Sequence, residues 1–420
     1  MKFKKIESQQ QSFYKPKDNN RVSVGNNNVL FWNSGIYGQK NDNAFPDFLI
    51  DVAEGGAGTS IHSNIINLKS NLITGDNLSV LDPDLPNAKQ TSDFITKRNR
   101  RGENLMTSYA FNARQFSLFE QAYVMVVYSK DFSKVAETYA IPVKDVRASA
   151  LDSLGNIPSY YVSKRWSDIS KSAYRKASVT NMATQVPPYT GIKEAKRLEQ
   201  PVQILHIRRP DYNDVYVNPS YMGGMQWVLI SNYVSQFHSN NFKNNYMIQG
   251  MLVTYGNMSE DEEKQFSADV EELFMGDEEG QKKMMLANVE NKEMTPAFVS
   301  AQNMMQDGQY ESLIKEANTQ VVAAHNCFGI LVGIESGSKL GDNGKMINTA
   351  LQAFRLLTTD PLKNSLVAGY NQIMEDLGYA SLDVNTSKMV IEDQVEPEPE
   401  NINTPEGQAI EDQVDETPES

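Results

Sequence analysis

Cysteine occurs once in this 420-residue chain and histidine only four times. One thiol excludes an intramolecular disulfide framework and suits a reducing compartment. Four scattered histidines and that thiol supply no ligand spacing for zinc. Long apolar runs are missing as well: the longest, AYVMVVY at 122–128, is far short of the roughly 20 residues a membrane helix needs. The N-terminal MKFKKIESQQQSFYK is basic but has no apolar segment behind it, so it does not read as a secretory signal. These absences describe a soluble intracellular protein with no membrane attachment and no cofactor.

Charge is plentiful but unevenly placed. The net charge is −14, yet from Ser381 onward twelve acidic residues face the single Lys388, which leaves only −3 on residues 1–380. The acidity is therefore mainly a property of the tail. That tail repeats itself, IEDQVEPEPE at 391 and IEDQVDETPE at 410, and with no aromatics it cannot bury enough surface to fold alone.

Periodicity organises the rest. Residues 1–44, rich in Asn, Gln, Ser and Lys, read as a flexible arm. FPDFLIDVAEGGAGTSIHSNIINLKSNLITGDNL reads as two helices. The first ends at Gly55-Gly56; Thr59 or Ser60 caps the second, with Ile61, Ile65, Leu68 and Leu72 on one stripe, and Gly75-Asp76 breaks it. A helix in 104–130 runs into YVMVVYS, and ETYAIPV, IPSYYVSKRW and PVQILHIRR follow as strands. Asn218-Pro219 opens a helical stretch to about 245, with Met222, Met225, Leu229, Tyr233 and Phe237 on a stripe and a length of roughly 40 Å.

Next comes a small α/β unit: strand-like MIQGMLVTYG, an acidic helix capped by Ser259, and KKMMLANVE as a second strand. After a strand near 297–300 and a turn at Asp307-Gly308, a helix over 309–327 carries Leu313, Ala317, Val321 and Ala324 on one face. Glycines at 333, 337, 341 and 344 then precede a long helix over 345–377, bent at Pro361.

Nothing local in the residues singles out a catalytic constellation. His325 cannot readily serve as a base for Cys327, because residues two apart on a helix face different ways; pairing of Cys327 with His62, His206 or His238 stays open. A lone Cys among Ala, Phe and Ile reads as a small buried hydrophobe. Gly344-Lys345 is followed by Met346 rather than Ser or Thr, and EGGAGTS lacks a lysine, so neither is a phosphate loop. SEDEEK lacks the alternation of a calcium loop, and Asp82 and Asp84 sit beside prolines in a turn. The cations of KRNRR at 97–101 could face nucleic acid or simply solvent, since no aromatics interleave with them. A near-neutral body argues against tight, static DNA binding and suits a conduit for moving DNA.

The order of these parts resembles the portal proteins of tailed bacteriophages. The likeness is carried by FPDFLIDVAEGGAGTSIHSNIINLKSNLITGDNL, by VQILHIRRPDYNDVYVNPSYMGGMQWVLISNYVSQFHSNNFKNNYMIQGMLVTYG, and by QYESLIKEANTQVVAAHNCFGILVGIESGSKLGDN, together most of 45–379. The resemblance implies an α+β, portal-type fold. Behind the arm at 1–44 would lie a mixed α/β wing at 45–217, with a first stem helix at 218–245 and a clip at 246–294. A strand and the second stem helix at 295–327, a tunnel loop at 328–345, a long wing helix with reduced crown at 346–380 and a disordered acidic tail at 381–420 would complete it.

It further implies a homo-oligomeric ring, typically dodecameric, at one capsid vertex of the virion, assembled in the host cytoplasm. Double-stranded DNA would pass through the ring during packaging and ejection. The terminase large subunit, a head-tail adaptor and the major capsid or scaffold protein would be partners; no catalysis is implied. Tunnel-loop residues would be Gly333, Gly337, Lys339, Gly341, Asp342, Gly344 and Lys345. Clip residues meeting a partner would be Glu260, Asp261, Glu262, Glu263, Asp269, Glu271 and Glu272. One departure is that similar portals often have a proline where this chain has Gly329 or Ile330 in CFGILVG. Two competing readings are a non-conducting structural adaptor and a cysteine hydrolase using Cys327.

Overall fold

The computed structural model describes residues 21–24, 27–30, 32, 45–55, 58–166, 183–210, 215–244, 251–256, 259, 261, 264–266, 285–289, 307–334 and 343–386. Strands β1 (Arg21–Val24) and β2 (Asn27–Leu30) pair antiparallel. Just beyond them Trp32 is buried, stacked on Tyr216 at 5.0 Å and edge-on to Phe45 at 5.6 Å. This corrects the reading of 1–44 as an arm throughout: Val29 and Trp32 tie part of it into the core, and the apolar run VLFW at 29–32 is too short, within an Asn-rich segment, to show a periodicity. The rest of that segment lies outside the described residues.

Helices α1 (Phe45–Glu54) and α2 (Ser60–Thr74) follow, with the Thr59 side chain accepting the His62 N–H at 3.3 Å and Gly75 closing α2 at φ 65°. The buried stripe of α2 is rotated from the expected one. His62, Ile65, Ile66, Lys69, Leu72 and Ile73 face inward, while Ile61 and Leu68 are only partly covered. Strand β3 (Asn77–Val80), α3 (Ala88–Thr96) and α4 (Leu105–Phe119) come next, the last capped by Asn104, which accepts the Thr107 N–H at 2.9 Å.

The apolar run at 122–128 forms β4 (Gln121–Tyr128), the centre of an antiparallel sheet between β5 (Val135–Ile141) and β9 (Val202–Arg208). Between β5 and β9 the chain makes a second antiparallel sheet, β6 (Val146–Ala148), β7 (Tyr160–Val162) and β8 (Thr184–Val186), and the short helix α5 (Ile192–Arg197). Why β4 is apolar without alternation is now clear: Ala122, Val124 and Val126 pack toward α4, while Tyr123 and Met125 pack into the opposite cluster with Ile204. Both faces are core.

The expected first stem begins as a 3₁₀ turn, Ser220–Gly224, and becomes α6 (Met225–Asn244). Twenty helical residues span roughly 30 Å, less than expected. The inward side of α6 is Met225, Val228 and Asn232; Tyr233 and Phe237, assigned to its stripe, are exposed. Strands β10 (Met251–Tyr255) and β11 (Met285–Val289) pair in parallel, Met251 opposite Met285. Helix α7 (Asp307–Ala324) starts where a turn was expected and packs along α6. The strand expected at 297–300 lies outside the described residues.

Beyond a 3₁₀ turn at Gly329–Val332, the long helix is three pieces: α8 (Asn343–Phe354), a π segment (Arg355–Thr359) and α9 (Asp360–Leu377). Pro361 has no N–H to offer the Leu357 carbonyl. The ladder therefore widens, with the Asp360 N–H reaching Arg355 O, and Leu356 and Leu357 turn outward. α9 lies directly on the sheet: a Cβ on Gly369 would come within 2.5 Å of Ile207. Leu366, Tyr370, Ile373 and Met374 are fully buried there, each stabilising by about 1.5–3 kcal/mol. Finally β12 (Leu382–Asn385) pairs antiparallel with β3, so the tail expected from 381 begins after this strand; 387–420 lies outside the described residues.

Candidate functional site

The chemistry-bearing side chains converge at one junction, where α6 begins, α7 ends and the glycine-rich stretch departs. α7 stops because Asn326 adopts a left-handed conformation, φ 49°, while the Cys327 N–H reaches back to Val322 O at 3.0 Å. That closure points the His325 ring inward. Its Nε2 lies 3.0 Å from Nδ1 of His62 on α2, and Tyr221, from the 3₁₀ turn before α6, stacks on it at 4.7 Å. Lys69, one turn pair along α2 from His62, places its ammonium 5.7 Å above the Tyr221 ring. Three segments distant in sequence thus bring four side chains into a buried polar cluster.

Proton accounting shows how constrained it is. Whichever ring donates in the His62–His325 bond, one of the two outer nitrogens is a donor and the other an acceptor. Those atoms, His62 Nε2 and His325 Nδ1, are buried and have no partner among the described residues. Burial, then the charges of Lys69 and Arg114, lowers the His62 pKa to about 3. Burial, Lys69 and His62 push His325 well down too, so both rings are neutral at physiological pH. Burial also brings Lys69 down to about 8, partly offset by Glu120.

A second tie fixes the root of α6. Glu120, left-handed at φ 52° at the end of α4 and one per cent exposed, accepts from Arg209 after β9 and from the Ser220 hydroxyl; the Ser220 N–H is at 2.9 Å. α6 and α7 approach so closely that a Cβ on Gly224 would stand 2.4 Å from Cβ of Ala324. Only glycine fits.

The α2 stripe read from apolar residues alone omits His62 and Lys69, because a polar residue on an amphipathic helix is read as solvent-facing; His62 entered only as one possible partner of Cys327. The signal was present: 62, 65, 66, 69, 72 and 73 form a continuous helical stripe once polar residues are admitted to it.

The remaining candidates separate. Cys327 is buried beside the cluster, burial raises its thiol to about 11, and its sulfur contacts Phe328 O at 3.7 Å; His325 is engaged with His62 instead. Burial thus favours the protonated thiol, the less nucleophilic form, at neutral pH. His206 is also structural: its ring stacks on Tyr123 at 4.4 Å, with Tyr160 Oη at 3.2 Å and Gln121 Oε1 at 3.0 Å from its two nitrogens.

Gly333 closes the 3₁₀ turn at φ 77°, while Gly344 and Lys345 stand exposed in the first turn of α8. Gly337, Lys339, Gly341 and Asp342 lie outside the described residues. Asp261 is helical and exposed; Glu260, Glu262, Glu263, Asp269, Glu271 and Glu272 likewise lie outside.

The KRNRR loop covers the edge of β5. Lys97 donates to Ala136 O at 2.8 Å and Asn99 to Thr138 O at 3.0 Å, which satisfies outward carbonyls of an edge strand; Arg100 pairs with Glu137 at 3.3 Å. Among the described residues no cluster of three metal-ligating side chains occurs, and no helix is long and apolar enough to cross a membrane.

The class of fold is a mixed α and β body with two paired helices rooted in a buried polar junction. No known protein-family model matches the chain, and neither does any curated protein. Solved structures do. A chain in the neck of an empty gene transfer agent (GTA) particle computed with C6 symmetry is 14% identical over 88% of this chain and 87% of that one, with a TM-score of 0.53. One in the neck of a native GTA particle computed with C12 symmetry is 14% identical over 81% and 83%, with a TM-score of 0.50. An HK97 family phage portal protein from Corynebacterium diphtheriae matches at 10% identity over 81% and 95%, with a TM-score of 0.42, too distant to argue from. This chain shares the fold of the two GTA neck chains.

Proposed function

We propose that the chain is a portal-type subunit that assembles as a ring, a dodecamer, at one vertex of a virus-like particle and lets double-stranded DNA pass during packaging and ejection. The observation that carries this reading is the direct packing of α6 on α7 across the segment 245–306, in a fold shared with neck chains of particles computed with C6 and C12 symmetry. On this reading α6 and α7 are the two stem helices, and the segment between them is a clip. The stretch holding Gly333, Gly337, Lys339, Gly341, Asp342, Gly344 and Lys345 is a tunnel loop. Its glycines admit backbone conformations closed to other residues, which lets the loop reshape as DNA moves.

Exposed Tyr233 and Phe237 on α6 would be covered by the adjacent subunit. The carboxylates Glu260, Asp261, Glu262, Glu263, Asp269, Glu271 and Glu272 would dock a basic surface on the terminase large subunit or a head-tail adaptor, and the wing would meet the major capsid or scaffold protein. Assembly would occur in the host cytoplasm. Size-exclusion chromatography with light scattering tests the reading. Twelve copies of the 47.1 kDa chain give about 570 kDa, and a protein that stays monomeric at working concentration would contradict it.

A further inference from the structure

We propose that the acidic segment 387–420 docks on the basic loop 97–101 of its own chain, as an internal polyanion that holds nucleic acid off that loop. The loop is pre-ordered. Asn99 closes it, accepting the Arg101 N–H at 2.9 Å and the Glu103 N–H at 3.0 Å. Its cations are fixed but mostly uncompensated: Lys97 donates to the Ala136 carbonyl, Arg98 to the Gly102 carbonyl at 2.9 Å, and Arg101 lies over the Tyr139 ring at 4.8 Å. Those partners are neutral; among the described residues only Arg100 meets a carboxylate, Glu137. All four cationic residues are exposed. An anion arriving there meets positive charges whose side chains are already ordered, which reduces the entropic cost of binding.

Before it ends at Thr386, whose hydroxyl accepts from Arg355 at 3.0 Å, the described chain passes along the helix that leads into this loop. Residues 378–380 run along α3, the helix that ends in this loop: Asn87 donates to Gly378 O at 2.8 Å, Thr91 to Ala380 O at 2.9 Å, and the Phe94 and Tyr379 rings meet at 6.1 Å. After Thr386 the sequence carries eleven acidic residues against Lys388, with IEDQV at 391–395 and again at 410–414. A polar tether from Thr386 to these motifs has a root-mean-square reach of about 13 Å and about 28 Å, so the carboxylates stay confined to their own chain at a higher effective concentration than a free polyanion. Free DNA has no such advantage and meets a body of net negative charge. Because attraction here is ionic, it weakens with salt.

The test is zero-length carbodiimide coupling of the full-length protein, with the linked peptides mapped by mass spectrometry. The expected result is amide bonds from Lys97 to carboxylates at 392–393 and 411–412, falling at least about threefold between low and high salt. Links spread evenly over the lysines, or formed only between differently labelled copies, would overturn the assignment. A cycle on duplex-DNA cellulose then separates a local from a global charge effect. Removing 387–420 should raise retention about tenfold with the natural loop, but no more than about twofold when Arg98→Glu and Arg101→Glu are also present. Equal gains in both backgrounds would refute docking at the loop. Neither result depends on whether the chain forms a ring.

Discussion

Acidification should unfold this protein from the histidines outward, well before its carboxylates are protonated. His62 and His206 have folded pKa values lowered to about 3 by burial, from an ordinary value of 6.5, and His325 is lowered further by burial and by Lys69 and His62. A depressed histidine pKa means that the unfolded chain binds the extra proton. Stability is therefore complete above pH 6.5 and lost as pH falls toward 3.

From pH 6.5 to 4.5 each such histidine removes about 2 kcal/mol, so His62 and His206 together remove about 4–5 kcal/mol, and His325 adds in the same direction. The charged neighbours reinforce this: Lys69 and Arg114 face His62, Lys69 faces His325, and Arg208 faces His206. Asp145, whose pKa is raised by burial, works the opposite way with one group against three. Urea unfolding followed by tryptophan fluorescence at half-unit steps from pH 7.5 to 4.5 measures the slope. His62→Gln should flatten it by about one proton, roughly 1.4 kcal/mol per pH unit. A midpoint that holds steady down to pH 5, or a His62→Gln slope equal to the parent's, would refute the reasoning.

Gly224→Ala should cost about 1–3 kcal/mol in thermal or urea unfolding, because its Cβ meets Ala324 at 2.4 Å; adding Ala324→Gly should recover part of that loss. Glu120→Ala strands Arg209 and Ser220 and should lower stability by about 2–3 kcal/mol, the Arg209 side chain being one-third exposed; Glu120→Gln should cost less. Cys327 should react with a thiol reagent only as fast as the protein opens, and Cys327→Ala should cost about 1 kcal/mol; rapid labelling of the native protein would contradict its burial.

Element type was legible wherever periodicity and caps agreed. Thr59, Gly75 and the uninterrupted apolar run of β4 are instances: each reports a local constraint that tertiary packing only reinforced. Orientation was less legible. The face of α2 was misjudged because His62 and Lys69 are buried in spite of their polarity. On α6, Tyr233 and Phe237 looked like core, yet within one chain they point outward. The Pro361 bend was visible, but not its form, because a missing N–H can be accommodated by a kink or by a widened turn. Nothing local in KRNRR indicated an edge-strand cover, since its partners Ala136 and Thr138 are nearly forty residues away. The His62–His325 contact spans 263 positions and leaves no local signature.

To conduct DNA, many copies of this chain must close around an opening. Cryo-electron microscopy of the purified, full-length protein measures this directly: rotational symmetry about a central channel wide enough for duplex DNA, with α6 and α7 beside that channel, is the predicted image. A closed dimer, or a ring without a through-going passage, would contradict it.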